Sequence, residues 1–485
     1  MPEKKKVLVI GGGISGLSAA YYIRQFCREQ NVPLELTLLE KSDALGGKIQ
    51  TAHREGFIIE RGPDSFLSRK LPIIELSEAL GLDEEWVPTN PEANRTFIVH
   101  NGKLHRFPSG FMLGIPTQLR ALVNTGLISP LGKARAILDL LLPRQRTTED
   151  ESLGRFLERR LGQEVVAHIA EPLLSGIYAG DAYALSLQAT FPQFQALEQK
   201  KRSLILGMKA TKQDTHASSR LPEIAKKSAF LSFRQGLGAL VDRLKATLEK
   251  EADIRLNQNV KKIEKNEGED TYTLSVRHNA QGQTQQDVFE ADSIILATPA
   301  YVTAKLLPGL SAADILAEMP YVSVANVVLA FDARHIPESF DGSGFVVPRK
   351  EKRSITACTW TSSKWMHVAP EGKVLLRAYV GHAGNEDIVQ LEDREILDQV
   401  LTDLRELTGL QASPLFYEIN RWPQAMPQYP VGHLQNLKRV NDELNNQFPG
   451  IYLCGAGYRG VGIPDCIRQG KEAAEQVITY LTTHQ

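Results

Sequence analysis

Gly11, Gly13 and Gly16 are spaced as G-x-G-x-x-G, and the run Gly11-Gly12-Gly13-Ile14-Ser15-Gly16 stands between an apolar segment, residues 7–10, and a helix-patterned one, residues 14–26. Such a turn binds phosphate. The first glycine makes the tight turn, the second lets a pyrophosphate approach the backbone, and the third lets helix and strand pack closely. The helix start adds free N–H groups and a partial positive charge. A second apolar run, residues 34–39, ends at Glu40, an acid suited to accept hydrogen bonds from both ribose hydroxyls of an adenosine and to repel a 2′-phosphate. Strand, glycine turn, helix, strand and acid follow in the order of a βαβ dinucleotide-binding unit.

Just beyond Glu40 and Lys41 comes Leu45-Gly46-Gly47-Lys48, where glycines allow close backbone approach and Lys48 supplies a cation for a second phosphate contact. A nicotinamide cofactor has no need of this element, whereas FAD is longer and bent. Gly62-Pro63-Asp64-Ser65 is a turn of small side chains suited to lying against a flat ring. Near the C-terminus, a strand at 451–454, a glycine-rich turn at 455–462 and a helix from Ile463 with Pro464 in its first turn form a second signal. The N-terminus of that helix, aimed at a flavin's pyrimidine edge, would stabilise an anionic reduced ring. Residues 455–462 contain no Cys or His, so the flavin is expected to be held noncovalently.

These motifs need a scaffold of several parts. At 485 residues the chain exceeds one ordinary core. The net charge of −1 argues against a nucleic-acid-binding protein. No signal or transit peptide and no membrane-spanning run is apparent; residues 136–142 come nearest, and Asp139 interrupts them. The four cysteines, Cys27, Cys358, Cys454 and Cys466, form no C-x-x-C pair, which points away from zinc and towards a reducing cytoplasmic setting. Asn101-Gly102 marks a hairpin, with His100 and His105 across the turn read as surface residues rather than metal ligands. Residues 112–199 are patterned as helices. Residues 198–227 read as a polar, basic, solvated loop with Ala217-Ser218-Ser219 in its middle, and residues 421–430 as an irregular, proline-locked segment containing Trp422. Residues 322–331, 344–347, 356–361 and 374–380 are strand-like.

The glycine motif, Glu40, Leu45-Gly46-Gly47-Lys48, Gly62-Pro63-Asp64-Ser65, Ala297-Thr298-Pro299 and residues 455–464 together resemble the monoamine-oxidase-like FAD superfamily. Residues 171–181 and Trp422-Pro423-Gln424-Ala425-Met426-Pro427-Gln428-Tyr429 resemble, within it, the oxygen-dependent porphyrinogen oxidases. Lys48 stands where the superfamily often has Arg, and Gln235 where it often has a second glycine. The resemblance implies an α/β fold with a discontinuous Rossmann-like FAD-binding domain (1–70, 228–300, 445–485), a mixed-sheet substrate domain (71–110, 301–444) and an inserted helical domain (111–227). It adds Val260, Trp422, Gly455, Val461 and Gly462 to the cofactor site, and Arg95, Lys70 and Ile177 to the substrate site, Arg95 being the candidate for a propionate.

The activity implied is six-electron oxidation of coproporphyrinogen III to coproporphyrin III by FAD and O2, with H2O2 as by-product. Protoporphyrinogen IX oxidation, amine oxidation and a structural role with FAD retained for stability are the alternatives. Aromatisation drives the proton losses, so no catalytic acid or base is expected. The expected partners are the porphyrinogen, O2, a weak peripheral membrane contact and a transient contact with the next haem-pathway enzyme, with no nucleic acid.

Overall fold

The structure is a computed structural model that describes residues 4–213, 220–280, 283–337 and 340–483. β1 (Lys5–Ile10) and β2 (Leu34–Leu39) are connected by α1 (Ile14–Gln30) and pair in parallel, Val7 opposite Leu36 and Ile10 opposite Leu39. They lie within a five-stranded parallel sheet, in the order Asp253–Arg255, β2, β1, Ser293–Leu296, Ile451–Leu453. Residues 7–10 are all buried, as an apolar run without alternation requires of a strand covered on both faces. Val7 and Val9 face α1 and the C-terminal helix Ile463–Thr483, while Leu8 and Ile10 face a three-stranded antiparallel sheet that carries Ile263, Tyr272 and Leu274. The C-terminal helix lies against α1 at Gly470, where a Cβ would come within 2.5 Å of the Ser15 carbonyl oxygen.

A second sheet is mixed and seven-stranded, ordered Phe416–Pro427, Tyr321–Asp332, Lys373–Val380, Ile355–Thr359, Gly344–Val346, Thr96–His100, Lys103–Arg106. Its last two strands form the hairpin expected at Asn101-Gly102, whose φ values of 52° and 70° are those of a two-residue type I′ turn. Helix Asp393–Thr408 covers one face through Ile396, Val400 and Leu404. The other face is the floor of a cavity.

Two expectations are corrected here. Residues 421–427 are not irregular: they belong to the strand Phe416–Pro427, paired with Tyr321–Asp332. Pro423 is tolerated because the strand is at the sheet edge and bulges, the register shifting between Val322 and Val324 with Gln424 at φ 45°. Residues 198–213 are not a loop either. Glu198 lies in helix Pro192–Lys201 and is followed by helix Leu204–Gln213. Leu204, Ile205 and Met208 are buried in the helical core with Phe156, Leu157 and Ile169, and buried Glu198 accepts from Arg159. Ala217, Ser218 and Ser219 lie outside the described residues.

Within the helical region, Asp139 turns inward. It accepts hydrogen bonds from the guanidinium of fully buried Arg160 at 2.5 Å, the hydroxyl of Ser203 at 2.5 Å and the backbone of Ile205 at 2.9 Å. Among the described residues no helix is long and apolar enough to cross a membrane.

Candidate functional site

The C-terminal ends of the parallel strands open onto a cavity of about 1640 Å³ that runs from Glu40 past the glycine turn to the floor of the seven-stranded sheet. Its first part is built by the dinucleotide motif. Gly11, at φ 107°, donates its N–H to the Leu39 carbonyl and closes the turn. A Cβ at Gly16 would lie 1.9 Å from the Gly11 carbonyl oxygen, so helix and turn touch there. A Cβ at Gly13 would meet nothing within 4 Å: this backbone faces open cavity, as a phosphate cradle must. Gly11, Gly13, Ile14 and Ser15 line the cavity, whereas Gly12 and Gly16 support it from behind.

Glu40 is buried, and both of its oxygens have backbone partners: Gly12 N–H at 2.6 Å and Ser42 N–H at 2.8 Å. A carboxylate has about four acceptor positions, so two remain for ribose hydroxyls. Lys41 and Val260 flank it on the cavity wall.

The next wall is the loop at residues 62–65. A Cβ on Gly62 would lie 1.8 Å from the Lys48 carbonyl oxygen, which locks this loop to the Gly46-Gly47 turn. Side chains from the sheet floor grip it from below. Trp422 Nε1 and Asn326 Nδ2 both donate to the Arg61 carbonyl, at 2.8 and 2.6 Å, and Arg377 donates to the Gly62 carbonyl. Asp64 pairs with Lys364 at 3.3 Å. Burial opposes ionisation of Asp64, but the Lys364 and Arg377 charges overcome it and hold the carboxyl below its ordinary value. Pro63, Asp64 and Ser65 line the cavity, and Gly455, Val461, Gly462 and Ile463 close it opposite, at the start of the C-terminal helix. Cys466 also lines it, its thiol pushed up to about 11 chiefly by burial and therefore poorly nucleophilic.

Three cations stand differently from expectation. Lys48 lines the cavity, but its ammonium donates to the Ala425 carbonyl across the site instead of standing free for phosphate, and burial lowers its pKa. Lys70 pairs with Asp465 at 2.9 Å and does not line the cavity. Arg95, half exposed, pairs with Asp341 and also lies outside the lining, although its neighbour Thr96 is part of it. Ile177 does line it, beside Pro172 and Leu173 of helix Glu171–Tyr178. At that end Arg349, Lys352 and Arg353 also reach the wall, Arg349 held by Glu171 at 2.9 Å.

Sequence reasoning missed Asn326, Lys364, Arg377 and the 349–353 cations. One signal existed: Arg377 is a lone charge inside Val374-Leu375-Leu376-Arg377-Ala378-Tyr379-Val380. His100 and His105 have a third neighbour that the sequence did not suggest, His168, with ring centroids 5.0 Å from those of His100. No group of three or more His, Cys, Asp or Glu among the described residues is arranged to hold a metal.

The sequence profile of the flavin containing amine oxidoreductases matches residues 14–478. The chain belongs to that family. The glycine cradle, the acid at Glu40 and the ring-sized chamber beyond them fit FAD, which is its cofactor. Among curated relatives, coproporphyrinogen III oxidase of Bacillus subtilis (strain 168) is 45% identical over 478 residues, covering 99% of both chains. The chloroplastic protoporphyrinogen oxidase of Nicotiana tabacum is 32% identical, covering 98% of this chain and 86% of that one. A crystal structure from Exiguobacterium sp. 255-15 superposes with a TM-score of 0.84 at 37% identity over 99% of both chains. Cyclohexylamine oxidase from Brevibacterium oxydans, at 17% identity and a TM-score of 0.67, shares the fold.

Proposed function

We propose that this protein is an FAD-dependent oxidase that converts coproporphyrinogen III to coproporphyrin III in haem biosynthesis, using O2 and releasing H2O2. The carrying observation is the cavity. At about 1640 Å³ it exceeds the ~300–1,000 Å³ that holds one small molecule, and it continues from the dinucleotide cradle into a chamber with an apolar wall and cations at its rim. That shape suits an FAD and a large flat substrate end to end. The activity named for the Bacillus subtilis relative supports the choice of substrate.

When bound, the flavin supplies the two-electron chemistry, and three rounds aromatise the macrocycle. The chain's residues do the rest. The loop at 62–65, held from below by Trp422, Asn326 and Arg377, fixes one wall of the ring chamber. Pro172, Leu173 and Ile177 offer an apolar face to the macrocycle, and Arg349, Lys352 and Arg353 form a cationic rim at which Lys352, with no ion pair among the described residues, receives a carboxylate. Arg95 joins them by exchanging Asp341 for a propionate. The test is purified flavoprotein given coproporphyrinogen III or protoporphyrinogen IX anaerobically, with flavin bleaching as the readout. Bleaching by neither substrate refutes the proposal, and faster bleaching by protoporphyrinogen reverses the substrate.

The helical region further supports reversible contact with a membrane surface. Leu131 and Leu141 are 83% and 73% exposed, with Leu119, Val123 and Leu138 also exposed and Arg120 and Lys133 among them. The protein is expected to sediment with anionic vesicles, and replacing Leu131 and Leu141 by Ser to abolish this; equal sedimentation of the variant refutes the contact.

A further inference from the structure

Arg377 lies in mid-strand on the floor of the cavity. Its neighbours Leu376 and Ala378 face the core beneath the sheet, so Arg377 and Tyr379 face the cavity. Arg377 is 4% exposed. One guanidinium nitrogen serves the Gly62 carbonyl, and the plane lies over the Tyr379 ring at 5.1 Å. Nε and Nη1 are buried and have no hydrogen-bond partner among the described residues. Buried donors of a cation are rarely left without an acceptor, so an acceptor is expected from whatever fills the chamber.

The charge is also only partly compensated. Asp64 is already paired with Lys364. Glu60, the other nearby carboxyl, is raised to about 7, chiefly by burial, and is only partly ionised at neutral pH. Two cations therefore face one full and one partial negative charge. The cavity would order its occupant: with an adenosine held at Glu40 and a pyrophosphate at Gly13, the ring of an FAD would lie beyond them, on the side of the 62–65 loop that Arg377 supports.

We propose that Arg377 is the cation that stabilises the reduced flavin, its free donors and charge answering the negative charge that arrives with the hydride. The proposal rests on the flavin-oxidase reading. In each round a substrate C–H bond breaks, its hydrogen and both electrons pass to the flavin, which becomes a monoanion, and the substrate cation sheds one proton. O2 then takes the hydride and one proton as H2O2.

The test is the midpoint potential of the bound FAD, measured by anaerobic dye equilibration without substrate. Arg377→Gln keeps a donor for the Gly62 carbonyl and removes the charge. It is expected to weaken the preference for the reduced form tenfold or more, a potential about 30 mV or more lower for two electrons. Arg377→Lys should recover most of this. If Arg377→Gln does not retain FAD, Lys364→Gln carries the test: Asp64 then turns to Arg377 and the potential falls in the same direction. An unchanged potential in a flavin-loaded Arg377→Gln or Lys364→Gln protein overturns the proposal, as does an effect confined to KM. A wild-type protein that holds no flavin fails the oxidase reading itself.

Discussion

Glu60 is buried beneath the cofactor site, accepting from the Leu237 N–H at 2.5 Å and the Thr51 hydroxyl at 2.8 Å, with Asp64 and Arg377 as its charged neighbours. Its carboxyl is raised from an ordinary 4.5 to about 7, chiefly by burial. A raised acid takes its proton more readily folded than unfolded, so its contribution is fully present below pH 4.5 and is lost as pH rises to 7. Glu60→Gln keeps an acceptor for Leu237 and removes the titration. Its stability relative to wild type should therefore grow between pH 4.5 and 7 by up to about 3 kcal/mol and then level off. Urea denaturation of the flavoprotein at several pH values checks this, and a constant difference would refute the burial argument. At Gly13 the expectation differs in kind. A Cβ there meets no protein atom within 4 Å and points into the cavity, so Gly13→Val should fold yet hold no FAD, read by flavin absorbance after gel filtration. Glu40→Ala removes ribose acceptors and frees two backbone donors, costing on the order of 1–3 kcal/mol of FAD affinity. Equal losses in the two variants would mean that the phosphate lies elsewhere.

Among the elements, the helical region depends on a buried pair. Asp139 and Arg160 are both fully buried, and Asp139 also holds the start of helix Leu204–Gln213. Asp139→Ala leaves a buried guanidinium short of its carboxylate, with Glu198 at 3.4 Å as its remaining charge partner, and should cost about 3–5 kcal/mol. Hydrogen exchange should show helix Leu204–Gln213 opening first while α1 keeps its protection; uniform loss across both would refute a local role. The same pair explains what the sequence hid. The βαβ unit and the Asn101-Gly102 hairpin were legible because their signals are local: glycine at a turn, apolar runs, an acid at a strand end. Helix Leu204–Gln213 was obscured because it lies in a polar, basic stretch and its start is held by Asp139, far off in sequence, while Leu204, Ile205 and Met208 are buried. The strand at residues 416–427 was obscured because its prolines are permitted only by an edge position that the partner strand creates. Asn326, Lys364 and Arg377 come together from two strands and a short helix, Thr361–Lys364, and no spacing rule announces them.

At the scale of the molecule, one chamber must both admit a macrocycle and distinguish its rim. Coproporphyrinogen carries four propionates and protoporphyrinogen two, with two vinyl groups. A charge-assisted hydrogen bond to an ionised group is worth roughly 1.5–3 kcal/mol, so a rim built for more carboxylates loses about one such contact for each vinyl it meets. Arg349 and Arg353 are already committed to protein carboxylates: Glu171, and Asp403 with Glu406. Lys352, exposed and held at φ 52°, has no ion pair among the described residues and is the cation most available to the second pair of propionates. Arg95 has only an exposed carboxylate to exchange for another, a trade worth about 0–1 kcal/mol. The expected outcome is a higher kcat/KM for coproporphyrinogen III, a ratio reduced several-fold by Lys352→Ala and less by Arg95→Ala. Both variants should act on KM more than on kcat, because a rim contact is the same in the ground state and the transition state. Steady-state oxidation of both porphyrinogens, followed by porphyrin fluorescence, decides it. A Lys352→Ala effect equal on the two substrates would remove that residue from the choice between them, and an Arg95→Ala effect on kcat alone would move Arg95 from the rim to the reacting carbon.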